Sequence, residues 1–188
     1  MNDRSVQSLL RDHRTCEAVQ ADLVSLLDAV EARAAWQPEH RSSFEKVCRF
    51  YRGVVLAHIR KEEEALFPAL EAYLPRDTGP LAVLRGEHRE ISAYFERLCE
   101  LGRSFSVGAQ PVAIPGDRVR FNEFSRIGRG LVKLLDDHIY KEDRVLFPMV
   151  ARFLTPERDA HILEQMETIG EEEDLRREFC EPGSQAVV

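Results

Sequence analysis

HIRKEEEALFP at 58–68 and HIYKEDRVLFP at 138–148 share seven of eleven letters and lie 80 residues apart. In each, a histidine and a glutamate stand four apart: His58 with Glu62, His138 with Glu142. On a helix that spacing puts both side chains on one face, one turn apart. A shorter echo joins them. Asp-His-Arg at 12–14 and Glu-His-Arg at 87–89 are separated by 75 residues. The chain therefore reads as two copies of one helical hairpin. A pseudo-two-fold axis would run between the copies, and both would meet whatever sits at the centre.

Working outward, Gly and Pro cluster at Gln37-Pro38, at Pro75 to Pro80 and between Ser104 and Gly116. Those clusters punctuate four long segments of helical periodicity. Helices are expected at about 3–34, 38–73, 79–103 and 117–153, followed by a fifth from Pro156 to Phe179. Pro38 and Pro156 suit the first turn of a helix, where a missing N–H is no loss. No segment alternates with period two, so no sheet is expected. The fold class is all-α: an up-down-up-down four-helix bundle with an extra C-terminal helix. The division is 1–154 for the bundle and 155–188 for a helix and tail packed on it. That last segment would either close the bundle end or mediate a homodimer or another protein contact. The 104–116 link is long enough for a flap over the bundle end.

The inward stripe of these helices should be apolar. It holds instead His13, His58, Glu62, His88, His138 and Glu142. A buried lone carboxylate costs several kcal/mol or more without compensation, and two facing each other are driven to take up protons. A buried cation would rescue them, as would hydrogen bonds to the histidines alone. Neutral imidazoles and ionised carboxylates are what a first-row divalent metal takes, so a metal settles the charge better. Heights along the helices agree. At about 1.5 Å rise per residue, His13 and His58 each lie roughly 30 Å from the turn joining their helices. Four histidines and two carboxylates exceed one tetrahedral zinc. They suit two metals, each with two histidines, bridged by the carboxylates and by an oxo or hydroxo group, with one position per metal left open.

The paired H-x-x-x-E…L-F-P segments with the His13 and His88 motifs resemble the hemerythrin family in its HHE cation-binding branch. The likeness covers roughly residues 5–152. It implies a bundle around a non-haem di-iron centre, with manganese or zinc as substitutes, held by His13, His58, Glu62, His88, His138 and Glu142. It also implies a small ligand such as O2, NO or peroxide. Departures are visible. Oxygen carriers of the family have a second histidine one turn along the third helix, where this chain has Ser92. They also end on an aspartate five residues after the last histidine, where Glu142 stands four after His138. The ligand set is more similar to that of bacterial di-iron proteins that repair iron–sulfur centres, although the sequence has no Cys-Cys pair. An iron-responsive regulatory protein or an iron donor is the alternative. No separate nucleophile or acid–base pair is evident in the core stripe, which argues against a hydrolase.

Other residues have plainer readings. His40 and His161 fall outside the motif and are expected in solvent. Glu63 and Glu64 continue the acidic run on other faces and are also expected to be solvated. Tyr51 reads as core, with a hydrogen bond to a metal-holding side chain as the sharper option, and Cys16 and Cys48 as small apolar fillers with redox sensing as theirs. Pro68 and Pro148 should kink or end their helices just past the site, with Phe67 and Phe147 capping the core. The patch Glu171–Asp174 reads as a solvated face.

Composition bounds the function. The 188 residues are 44% hydrophobic and 31% charged, a globular balance, with a net charge of −7. An acidic chain is a poor match for nucleic acid. No apolar run approaches the roughly 18 residues of a membrane span, and the first residues lack the apolar core of a signal peptide. Four scattered cysteines form no disulfide framework. A reducing cytoplasm is the expected location.

Overall fold

Helix follows helix along the computed structural model, which describes residues 3–33, 36–106 and 117–180. We number them α1 (Arg4–Arg33), α2 (38–70), α3 (Gly79–Ser106), α4 (117–153) and α5 (Pro156–Cys180). No strand occurs among the described residues. Among the described residues the fold is therefore all-α, four long helices and a C-terminal fifth. The flap read in the 104–116 link lies, beyond Ser106, outside the described residues.

Three of the helix starts have an identifiable cause. Pro38 occupies the first turn of α2. Gln37 and His40 close a reciprocal capping box there, with the Gln37 N–H donating to His40 Nδ1 at 3.1 Å. His40 is consequently 5% exposed, not in solvent as its position outside the motif suggests. Gly79 enters α3 with φ 71°, a left-handed conformation that glycine adopts without strain. α1 begins on a borrowed cap. Asp159 of α5 accepts the backbone N–H groups of Arg4 and Ser5 at 2.8 and 3.2 Å and also the Ser5 hydroxyl. A carboxylate at a helix N-terminus satisfies orphan donors and meets the positive end of the dipole.

α1 packs along α2 and α4, α3 along α4, and α5 lies across α1 and the middle of α2. Close approach is bought with glycine. A Cβ at Gly102 would lie 2.1 Å from the Phe44 ring, and one at Gly128 2.7 Å from Leu27. The interior is two apolar blocks. One gathers Leu23, Leu27, Phe44, Tyr51, Phe95, Leu98, Phe124 and Leu131. The other gathers Leu9, Leu66, Phe67, Leu81, Phe147 and Val150, with Ile162 and Met166 from α5. Between the blocks lies a layer of buried histidine and glutamate.

Pro68 and Pro148 neither end nor break their helices. α2 continues to Leu70 and α4 to Phe153. The helix instead widens into a π-turn just before each proline, over Glu62–Leu66 and Glu142–Leu146. The Phe67 N–H bonds to the Glu62 carbonyl, and the Phe147 N–H to that of Glu142. Proline cannot donate to the carbonyl four residues back, and its ring crowds that group. A π-turn relieves both demands. A third π-turn, Tyr51–Val55, has no proline, and nothing in its sequence foretells it.

Candidate metal centre

The structure brings all six expected side chains together. Four Nε2 atoms point inward from α1 to α4. His13 Nε2 stands 3.2 Å from His58 Nε2, and His88 Nε2 stands 3.1 Å from His138 Nε2. Glu142 spans the two pairs. Its Oε2 is 3.0 Å from His13 Nε2 and its Oε1 is 3.0 Å from His138 Nε2. Glu62 Oε2 stands 3.2 Å from His88 Nε2 and 3.6 Å from His58 Nε2. Both glutamates are fully buried. Ser92 takes no part in this cluster: its hydroxyl donates back to the His88 carbonyl at 2.9 Å.

Every outward Nδ1 atom faces an acid. His13 Nδ1 donates to Asp143 at 2.9 Å, His88 Nδ1 to Glu63 at 2.8 Å, and His138 Nδ1 to Glu87 at 3.0 Å. His58 Nδ1 lies 3.5 Å from Asp12, too long for a good hydrogen bond. The pattern obeys the two-fold repeat. The residue before His13 or His88 serves the histidine of the next helix, and the residue after Glu62 or Glu142 serves the histidine of the other copy. Lys61 steadies Asp12 at 2.9 Å, and Lys141 contacts Glu87. Glu63 is thus not a solvated member of an acidic run; the His88 partner holds its carboxyl below the ordinary range despite partial burial. Glu64 pairs with Arg60 at 2.7 Å on the surface. The signal for these outer acids lies one residue outside the motifs, in D-H, E-H, K-E-E and K-E-D.

The electrostatics are unusual for an interior. Burial alone would drive the histidines neutral. The opposing carboxylates win: Glu62, Asp12 and Glu142 lift His58 to about 10, and Glu62, Glu63 and Glu142 lift His88 to about 9. Burial likewise opposes ionisation of Glu142, but His138, His13 and His58 hold it well below the usual carboxylate range. Cationic charge is therefore what this layer demands.

Protein groups alone leave the demand incompletely met. Glu62 Oε1 is buried without a hydrogen-bond partner, and Glu62 Oε2 and Glu142 Oε1, though close to histidine nitrogens, lack hydrogen-bond geometry. Inward nitrogens facing each other across 3.1–3.2 Å compete for the same space. Two donor sets emerge, each with its atoms within 4.8 Å of one another: Glu62, His88, His138 and Glu142, and His13, His58 and Glu142. Imidazole and carboxylate donors fit iron, manganese or zinc. The residues therefore fit a bound metal.

Phe67 stacks on His88 and Phe147 on His13, with ring centroids 5.7 and 5.5 Å apart, sealing one side of the layer. On the other side a cavity of about 20 Å³ is lined by His13, His58 and His138 and by Cys16, Val55, Ile91 and Leu135, among others. Tyr51 is core: it stacks on Phe95 at 4.3 Å, and its buried hydroxyl has no hydrogen-bond partner. Burial pushes that hydroxyl well above the ordinary tyrosine range. His161 is exposed.

Residues 4–150 match the family model of the hemerythrin HHE cation-binding domain. The chain belongs to that family, and its buried His/Glu layer makes it a metal-binding protein of the hemerythrin type. No curated protein and no solved structure matches it significantly. No helix among the described residues is long and apolar enough to cross a membrane.

Proposed function

We propose that this protein holds two iron ions in its central layer and binds, or reacts with, a small molecule such as O2, NO or peroxide beside them. His13 and His58 would hold one ion and His88 and His138 the other, with Glu62 and Glu142 shared between them. The split carboxylate of Glu142, with one oxygen 3.0 Å from each histidine pair, carries this reading. A group that touches both pairs is what a bridge between two cations requires. When bound, the iron pair supplies redox chemistry and vacant coordination positions for the ligand.

The chain's own residues do the rest. Outer acids fix the imidazole tautomers with Nε2 free and raise ligand basicity. Phe67 and Phe147 exclude water from one side. The cavity at the other side has room for a water or a diatomic molecule. Its walls of Cys16, Val55, Ile91 and Leu135 suit an uncharged one. Cys16 stays a neutral thiol there, pushed up to about 12 by burial and by Asp136, Glu17 and Glu142.

Metal analysis after expression in iron-rich medium tests the first half, with about two irons per chain expected. Titrating the anaerobically reduced protein with O2 and then NO, read by visible absorption, tests the second. A spectrum that answers to none of O2, NO or peroxide overturns the ligand reading. A protein that takes only zinc overturns the iron assignment.

A second reading has its own support. The charged layer separates two apolar blocks, so metal bound there adds cohesion across the bundle. An iron-responsive regulatory role follows if the metal-free chain loses helicity or melts well below the loaded one. Equal melting of both forms removes that role. Iron donation to other centres requires transfer of labelled iron to an acceptor above background.

A further inference from the structure

Away from the metal layer, Cys48 of α2 faces Cys99 of α3, with the two Sγ atoms 3.3 Å apart. Cys48 lies ten residues before His58, roughly 15 Å along the helix. The Tyr51–Phe95 stack intervenes, one turn from each cysteine. The two sulfurs differ in access. Cys99 is 2% exposed, whereas Cys48 is half-buried at the edge of the core. Arg52 and Arg103 stand close by. The hydrogen bond from Cys48, opposed by burial and aided by the two arginines, holds the Cys99 thiol below its ordinary range, and the same bond raises Cys48. Once the pair has lost one proton, the proton that remains lies between the two sulfurs. Cys16 shows the contrast: it is buried among acids, and its thiol is inert.

We propose that Cys48 and Cys99 form a redox-active dithiol that reduces a small hydroperoxide and closes to a disulfide bridging α2 and α3. The proton shifts to Cys99, and the Cys48 thiolate attacks the outer oxygen of the peroxide. The O–O bond breaks, hydroxide or alkoxide leaves, and Cys48 becomes a sulfenic acid. Cys99 Sγ then attacks Cys48 Sγ, the S–O bond breaks and water leaves. Two sulfurs lose two electrons, and the peroxide bond gains them. Forming the bond draws the sulfurs from 3.3 Å to about 2.05 Å. Access selects the oxidant's size, since a small molecule can reach the half-buried Cys48 and nothing bulky reaches Cys99. The same sulfur is the one a small thiol reaches to reverse the reaction.

The test uses the full-length, reduced protein treated with stoichiometric hydrogen peroxide or, separately, with diamide, which oxidises thiols directly. Free thiols are then blocked, and the chain is digested without reductant. A Cys48–Cys99 cross-linked peptide in both arms, the loss of two titratable thiols per chain and recovery with dithiothreitol are expected. In Cys99→Ser the Cys48 sulfenic acid, with no partner to resolve it, is trapped by dimedone. Circular dichroism of Cys99→Ser and Cys99→Ala checks that each folds. Full thiol labelling after peroxide overturns the proposal. So does a cross-link that forms with diamide and not with peroxide, or one that joins Cys180 instead, or a folded Cys99→Ser without the dimedone adduct.

Discussion

The two halves of the central layer come from near-identical motifs, yet they are not equivalent. The His88–His138 half has four donor groups in mutual reach, and the His13–His58 half has three. The difference lies one turn away. Repeat-related positions put Cys16 opposite Ile91 and Val55 opposite Leu135, and in each pair the first copy has the smaller side chain. The cavity takes in His13 and His58 but only His138 of the other pair. Outer support follows the same bias. Asp12 is one methylene shorter than its counterpart Glu87 and reaches its histidine at 3.5 Å instead of 3.0 Å. Duplicated histidines and glutamates thus set up a symmetric charge layer, and packing residues beside them make one half tight and the other open. The open half is where a small molecule has room.

Removing the group common to both halves should do most damage. Glu142→Ala is expected to abolish retention of both metals, read as metal per chain by mass spectrometry on protein whose helicity is unchanged. If one ion remains, Glu142 does not join the halves. Next come the single histidines, and here the halves should part. His13→Ala is expected to keep the ion of the four-donor half and lose the other, so that about one iron remains per chain. It should also lose the spectral response to O2 and NO. A variant that keeps one ion and the full response would place the open position in the wrong half.

Much of this layer was legible in sequence because its signal is local. Spacing of four between His58 and Glu62, repeated 80 residues on, is a helix-face argument that needs no tertiary knowledge. The helix count follows from Pro and Gly punctuation in the same way. What escaped depends on contacts between elements. Glu63 looks like any exposed glutamate until α3 brings His88 to 2.8 Å. His40 looks surface-bound until it caps its own helix. Pro68 and Pro148 carry a local rule that favours a break, yet the core on both sides holds the helix together, and the strain is absorbed as a π-turn. The cap that Asp159 lends to α1 spans 155 residues, and no window of sequence reveals it.

Smaller effects should separate the halves further. Glu87→Gln removes the negative charge from the 3.0 Å partner of His138 and is expected to weaken metal retention about 10- to 100-fold, the range for such outer partners. Asp12→Asn acts on a contact already long and should cost clearly less, measured by competition with a chelator. The reverse order would mean that contact length does not govern the two halves. Cys16→Leu fills the cavity without touching a donor atom. It is expected to leave iron content unchanged and to slow ligand binding about tenfold, or ~1.4 kcal/mol at the barrier. Unaltered rates would put the entry path elsewhere.

The mildest contrast concerns protons. In the metal-free protein His58 and His88 titrate at about 10 and about 9, above the 6.5 of an unfolded histidine. A group whose pKa is raised by folding stabilises the fold while protonated. That contribution is complete below about pH 6.5 and fades as pH rises through 9 and 10. Glu142 acts oppositely: its lowered pKa stabilises above the ordinary value of 4.5 and is lost as pH falls further. Metal-free protein should therefore melt highest at mildly acidic pH and several degrees lower near pH 10. Loaded protein replaces those protons with metal charge and should show little change over the alkaline window. Calorimetric melts of both forms from pH 6 to 10, together with proton release on metal uptake at pH 8, measure the exchange directly. If metal uptake at pH 8 releases no protons, the histidines are already neutral, and the carboxylates of the layer do not govern their charge.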